Sequence, residues 1–269
     1  MASDTATRAS TGATRFSLSH AQAWLLALAA SASLVAWWLA TGSTPRAFVH
    51  LWQWAPSLAR GMWTNITISV LAMALGSAAG LVIGALSISR VGAVRAATRL
   101  YVQAFRNAPI LVLIYFTTYV FPFEIGLLQW RLPFPDWIKV VLGLALPASA
   151  NVAEIFRGAI QSIPSAQWEA AQSLAFKRTQ IFRWIILPQS VRRMLPPWMN
   201  LYASITMSTS LASLVGVHDL VDTAQIASNT VMRTDFTVLV YFTILALFFA
   251  YCYPISRATR RLEKRHALR

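Results

Sequence analysis

Cysteine is almost missing from this chain. The single one, Cys252, sits in an apolar run, which excludes an internal disulfide and a thiolate metal cluster. Histidine is scarce as well. His20, His50, His218 and His266 are scattered without ligand spacing, so no metal site is expected. Only 12% of the 269 residues are charged, against about a quarter in a soluble domain. There are three lysines, Lys139, Lys177 and Lys264, and none follows a glycine. The phosphate-cradling loop G-x-x-x-x-G-K-[ST] is therefore absent, and the chain is not a Walker-type ATPase. No nucleophile–base motif stands out, so no catalytic residue is assigned and no cofactor is expected. The apolar runs show no sustained alternation, which argues against strands.

What the chain has in abundance is apolar surface. The hydrophobic fraction is 57% and the mean hydropathy is +0.53. A helix needs about 20 mostly apolar residues to cross a bilayer. Six candidates meet that need, at roughly 24–40, 62–88, 101–121, 138–158, 194–216 and 236–256. The first is longer than a signal-peptide core, and no A-x-A site follows it, so it is expected to be an uncleaved anchor. Residues 1–23 form a polar tail, 41–61 an outer connection with Pro45 and Pro56, and 122–137 an outer interfacial segment.

Placing the N-terminus inside puts 18 of the 23 lysines and arginines on the inner side. Five remain outside: Arg46, Arg60, Arg131, Lys139 and Arg233. Basic residues favour the cytoplasmic side, so both termini are expected there, with the basic tail 261–269 near anionic headgroups. Topology explains the net charge of +14. No nucleic-acid partner is needed; the partner implied is the lipid bilayer.

Within the second candidate span, Gly76, Gly80 and Gly84 recur at spacing four. Small residues let membrane helices approach closely. The facing surface is open: a helix of this subunit, a helix of another, or lipid. The fifth candidate carries Asn200, Ser204, Thr206, Ser208, Thr209 and Ser210. These either line a polar path or bond to their own backbone and to neighbouring helices. Glu154 and Arg157 form either a gate or a local ion pair. His218, Asp219 and Asp222 lie either on a short helix that closes the path or in a solvated loop.

The stretch 164–188 is a charged excursion between apolar segments. Ser165 is a fitting N-cap, and Glu169 falls where the helix dipole favours acid. Ala166, Ala170, Ala171 and Leu174 share one small, flat face. A second short helix is expected from about Arg178 to Leu187, stopped by Pro188. An interfacial linker would bury Leu and Phe; an alanine face suits a protein groove instead. Glu169 either bonds to a docked partner or caps its own helix.

These residues resemble the EAA loop of ABC importer permeases of the polar-amino-acid type. Glu169-Ala170-Ala171 matches the name-giving triplet, and Ile186-Leu187-Pro188-Gln189 its ending. Phe105-Arg106-Asn107-Ala108-Pro109-Ile110-Leu111 resembles the family's F-R-G-T-P-L-L. Ala153-Glu154-Ile155-Phe156-Arg157-Gly158 resembles its A-E-x-x-R-G, and Thr209-Ser210-Leu211 the end of its K-D-T-S-L. The resemblance implies an all-α integral membrane protein of about six spans. That is a type I permease core over 57–260 plus the extra N-terminal helix. It also implies a homo- or heterodimer of permeases in the bacterial inner membrane, two ATPase subunits that bind the ATP, and an external solute-binding protein. Coupling is expected at Glu169, Ala170, Ala171, Leu174, Ala175, Leu187 and Pro188. Amino acids are the implied cargo, with opines or compatible solutes as the alternative. An ATP-independent transporter or channel is the rival class. Three departures stand out. Ala175 replaces the usual glycine, which implies a stiffer turn. Asn151 stands for a frequent tyrosine, and Met207-Ser208 for a Lys-Asp pair.

Overall fold

The computed structural model describes residues 44–127 and 130–267. The chain divides into two compact units, Met1–Val49 and His50–Arg269. Of the first, only the opening of helix α1 (Thr44–Ser87) is described; the expected tail 1–23 and anchor 24–40 lie outside the described residues. From residue 44 on, the expected outer connection is corrected to helix. Pro45 falls in the first turn, where its missing N–H costs little, and Pro56 is carried inside.

The expected span over 101–121 is also corrected. It is two helices, α2 (Gly92–Asn107) and α3 (Ile110–Val120), bent by 103° at their junction. Proline disfavours helical backbone in the residue before it. Ala108 is accordingly extended (φ −73°, ψ 136°) ahead of Pro109. A two-stranded hairpin follows, β1 (Glu124–Leu127) antiparallel to β2 (Trp130–Pro133), with Glu124 opposite Pro133. It is the one departure from an all-α fold among the described residues.

Helix α4 (Asp136–Gln161) leads into α5 (Ser165–Ser173) and the single turn α6 (Arg178–Gln180). A π-turn (Ile181–Ile186) joins α6 to α7 (Leu187–Ser208), which tightens into a 3₁₀ stretch (Thr209–Val215). Helices α8 (Leu220–Val231) and α9 (Thr234–Ala267) complete the chain. Among the described residues, α1, α4 and α9 are long and apolar enough to cross a membrane, and the bent α2–α3 pair makes a fourth. The expected span 194–216 does not reach that standard. The helix that carries most of it, α7, has Arg192 and Arg193 near its start, paired prolines and hydroxyl residues that dilute the apolar run.

Helix α4 is central: 67% of its most apolar window is buried, against 17% for α9. Its Val140, Leu144, Ala148 and Val152 pack with Ile68, Ala72 and Met73 of α1, Ile114 of α3 and Ile205 of α7. The glycine face belongs to this core. A Cβ at Gly76 would lie 2.6 Å from the Ala148 methyl, and one at Gly80 would lie 2.6 Å from the Ser149 carbonyl oxygen. A Cβ at Gly84 would meet the Phe156 ring at 2.9 Å. The facing surface left open by the sequence is thus α4 of the same chain. Polar pairs join other helices: Tyr101 to Ser149 (2.7 Å), Trp198 to Ser77 (2.8 Å) and Tyr202 to Tyr251 (2.6 Å). Such bonds add modestly to close packing in apolar surroundings.

Candidate functional site

The excursion is a packed bracket, not a floppy loop. Its core holds Phe156, Ala159 and Ile160 from the end of α4, Ile163 just beyond it, Ala171 of α5, Ile181 and Ile186 of the π-turn, and Met194 of α7. Polar ties close its edges. Gln189 donates to the Gln167 side chain at 2.7 Å, and Arg193 to the Ser162 carbonyl at 2.6 Å. Displacing α5 would therefore strain both α4 and α7.

Two details of α5 differ from expectation. Pro164, not Ser165, holds the N-cap position, and no side chain caps the helix. Ser165 is already helical because proline supplies the extended backbone before it. Glu169 thus falls beyond the first turn and does not cap its own helix. The triplet is split by burial: Ala171 is 3% exposed, while Glu169, Ala170 and also Ala166 face outward. Leu174 is exposed at the helix end.

The turn after α5 explains what Ala175 replaces. The Ala175 N–H donates to Gln172 O at 2.9 Å and the Phe176 N–H to Ala171 O at 3.3 Å. This is the paired pattern of a Schellman cap over residues 171–176, whose fifth residue sits in the left-handed region. Ala175 has φ +60°. Glycine adopts that backbone freely; alanine does so against its Cβ.

Pro188 does not end the second helix, as expected, but is absorbed into α7. Proline inside a helix clashes with the carbonyl four residues back. Here the preceding turn is π-type, with the Leu187 N–H bonded to Phe182 O, five residues back. The wider turn makes room for the ring. Leu187 is half-buried and Pro188 exposed.

The candidate path residues separate. Asn200 and Ser204 lie exposed, one turn apart on α7, with exposed Met207 continuing the line. Thr206, Ser208 and Ser210 turn their hydroxyls to Tyr202 O, Ser204 O and Met207 O. Thr209 is fully buried. Its Oγ1 accepts from Asn65 Nδ2 at 2.9 Å, so it belongs to packing and not to an open path. Glu154 and Arg157 form the local ion pair, with Arg157 Nε 3.0 Å from Glu154 Oε2 and a second bond from Nη2.

Asn65 was not singled out by sequence reasoning, yet it anchors the opposite end of α7. Its Nδ2 also donates to Asp219 Oδ2 at 3.1 Å, and its Oδ1 accepts from the Leu220 N–H at 2.9 Å. Asp219 in turn caps α8 by accepting from the Asp222 N–H at 2.8 Å. Burial pushes the Asp219 carboxyl up to about 6, partly offset by these hydrogen bonds. Asp219, buried, and Asp222 therefore stand at the head of a packed helix, while His218 lies exposed in the short connection before it and pairs with Asp222 at 2.7 Å. The only signal in the sequence was an isolated amide in an apolar run, where polar groups usually carry a role.

Lys139 was also missed. Its side chain is wholly buried, 3.0 Å from Asp136 and 4.0 Å over the Phe123 ring. It ties the base of the hairpin to the start of α4.

With a central spanning helix, an exposed packed bracket and a polar face on α7, these parts are those of a multi-pass membrane protein. Residues 73–267 match the family described as binding-protein-dependent transport system inner membrane component. The chain belongs to that family, the multi-pass inner-membrane permeases of ABC transporters. It is 32% identical over 212 residues to the probable amino-acid ABC transporter permease protein YckA of Bacillus subtilis, covering 79% of this chain and 90% of that one. It is 31% identical over 216 residues to the octopine transport system permease protein OccM of Rhizobium radiobacter, covering 79% and 87%. A crystal structure of an amino acid ABC transporter with histidines superposes with a TM-score of 0.71 at 27% identity, over 81% of this chain and 98% of that one.

Proposed function

We propose that this permease passes amino acids, or close analogues such as opines, inward through the membrane by alternating access. The observation that carries the mechanism is the bracket: α5 presents Glu169 and Ala170 outward while Ala171 ties it into a core shared with α4 and α7. ATP is hydrolysed by two separate ATPase subunits, each gripping one α5. A second permease, identical or related, completes the pore, and an external binding protein delivers the cargo. Both termini and the bracket lie in the cytoplasm. Closure of the ATPase pair favours one bracket position over the other, and that difference in contact free energy shifts the pore between its states. The exposed face of Asn200, Ser204 and Met207 lines the path. The names of the relatives support the cargo class: amino acids for YckA, octopine for OccM.

Glu169→Lys tests this in cells expressing the full transporter. Membrane insertion is expected to persist while uptake of labelled amino acid and stimulated ATP hydrolysis both fall to background. Normal uptake by the variant would remove Glu169 from coupling.

A further inference from the structure

A cavity of about 570 Å³ lies between α2 and the end of α4 from which the bracket emerges. Arg95, Arg99 and Arg106 of α2 and Arg157 of α4 line it, with Glu154 as the only carboxylate. Glu154 is already engaged by Arg157, and Arg106 stands off at 3.9 Å. Arg95 makes only a 3.5 Å contact with the Ser89 carbonyl. Arg99 has no hydrogen-bond or ion-pair partner among the described residues. The cavity therefore keeps a surplus of three guanidinium charges. Arg95, Arg99 and Arg106 fall on one face of α2 at spacings of four and seven, and Gln103 joins them. Elsewhere on α2, Leu100 is 69% exposed, as Val91 is ahead of it (57%). Several guanidinium forks converging on one space suit the oxygens of a phosphate better than a single carboxylate. Ile88, Val102 and Ala153 add apolar lining to the same cavity, which suits the start of acyl chains.

We propose that this cavity holds the phosphate of an anionic phospholipid of the inner leaflet, with Arg99 and Arg106 as its principal contacts. Basic pockets between helices at the cytoplasmic face are suited to such headgroups. The proposal rests on the orientation given above; it does not depend on the cargo or on the coupling role of Glu169.

The test uses the full chain in lipid nanodiscs and in detergent. Native mass spectrometry counts phosphatidylglycerol retained per chain, and a melting-temperature titration compares phosphatidylglycerol with phosphatidylcholine of the same acyl chains. The unaltered chain is expected to retain phosphatidylglycerol and to be stabilised by it selectively. The Arg99→Gln/Arg106→Gln double variant is expected to bind it at least tenfold more weakly, while Arg260→Gln/Arg261→Gln in the terminal helix changes it less than twofold. Equal losses in both variants, or no selectivity over phosphatidylcholine, would overturn the site. Displacement of the lipid by millimolar inorganic phosphate would make it a free-anion site instead and overturn the lipid assignment. A photocrosslinking phosphatidylglycerol applied to the unaltered chain covers the case in which the double variant misfolds. Adducts within 87–106 or 154–161 support the proposal, and adducts confined elsewhere refute it. Thiol labelling of Ser89→Cys from one side of sealed vesicles reports the orientation separately.

Discussion

Replacing Ala175 by glycine should stabilise the bracket, and the size of the gain follows from one dihedral. Ala175 sits at φ +60°, closing the cap that joins α5 to α6. A left-handed backbone costs an L-residue about 1–2 kcal/mol relative to glycine. Glycine returns about 0.4–1 kcal/mol of that through its greater freedom when unfolded. The net gain is about 0.5–1 kcal/mol, local to the turn. A global melting curve would register it as roughly 1–4 °C at most. Hydrogen exchange is the sharper assay, because it reads the opening of one turn. The Phe176 amide completes the cap on Ala171 O. Once corrected for intrinsic rates, its exchange in Ala175→Gly should slow by about two- to fivefold, the factor that 0.5–1 kcal/mol implies. Ala175→Val should move the other way, since a β-branched residue at positive φ is a genuine outlier. Protection in the order Gly, Ala, Val is the expected result. Equal protection in all three would mean that the turn is not held left-handed, and the reasoning would fail.

Gly80→Val should drive α1 off α4, because even a Cβ would lie 2.6 Å from the Ser149 carbonyl. Overpacking of this kind costs about 1–3 kcal/mol or more, read as loss of monodisperse protein on gel filtration. Gly158→Ala, whose added methyl meets nothing within 4 Å, should elute unchanged. Asn65→Leu strips Asp219 and the Leu220 N–H of their partner, at a cost of about 1–3 kcal/mol, and should expose the start of α8 to limited proteolysis. Asp219 also sets a pH dependence. Its folded value, about 6, lies above its ordinary 3.8, so the folded state binds the proton more tightly. Stability from this group should rise as pH falls from about 6 toward 4 and be absent above that window. Asp219→Asn should remove that slope from the difference in melting temperature between the two proteins; a persisting slope would assign it to other groups.

How far the sequence reached depended on whether a feature is local. The glycine spacing announced a close helix contact, because only geometry at a surface is needed to see that. It was silent on α4 as the partner, since nothing in one sequence pairs residue 80 with residue 149. Pro109 was visible, yet the apolar composition of 101–121 suggested a single span; the backbone restriction before proline overrode hydropathy there. Pro188 misled in the opposite sense, because a π-turn is a cooperative feature of several residues with no marker of its own. The alanine face was legible as a small surface, but not its division into an anchored Ala171 and an outward Ala170. That division is set by Ile181 and Ile186, which reach it only after the chain reverses. Asn65 and Asp219 are 154 residues apart, and their meeting follows from the whole fold.

The two ends of α7 show what these contacts achieve together. Its first turn shares a core with α5, and the chain just beyond its last turn is held by Asn65 through Thr209. Twenty-two residues of helix lie between, a reach of roughly 33 Å at 1.5 Å per residue. A rigid rod fixed at both ends transmits displacement; one loose at either end absorbs it. Interiors packed to crystal-like density yield in discrete steps and not continuously. Motion imposed on α5 therefore has few places to dissipate. Its routes are α4, through Phe156 and Ile160, and the Asn65 node, along α7. The exposed line of Asn200, Ser204 and Met207 lies on that same rod, so a shift of the bracket necessarily re-aims those side chains. Under the proposed function, energy spent on the bracket would be delivered to the polar face along this helix.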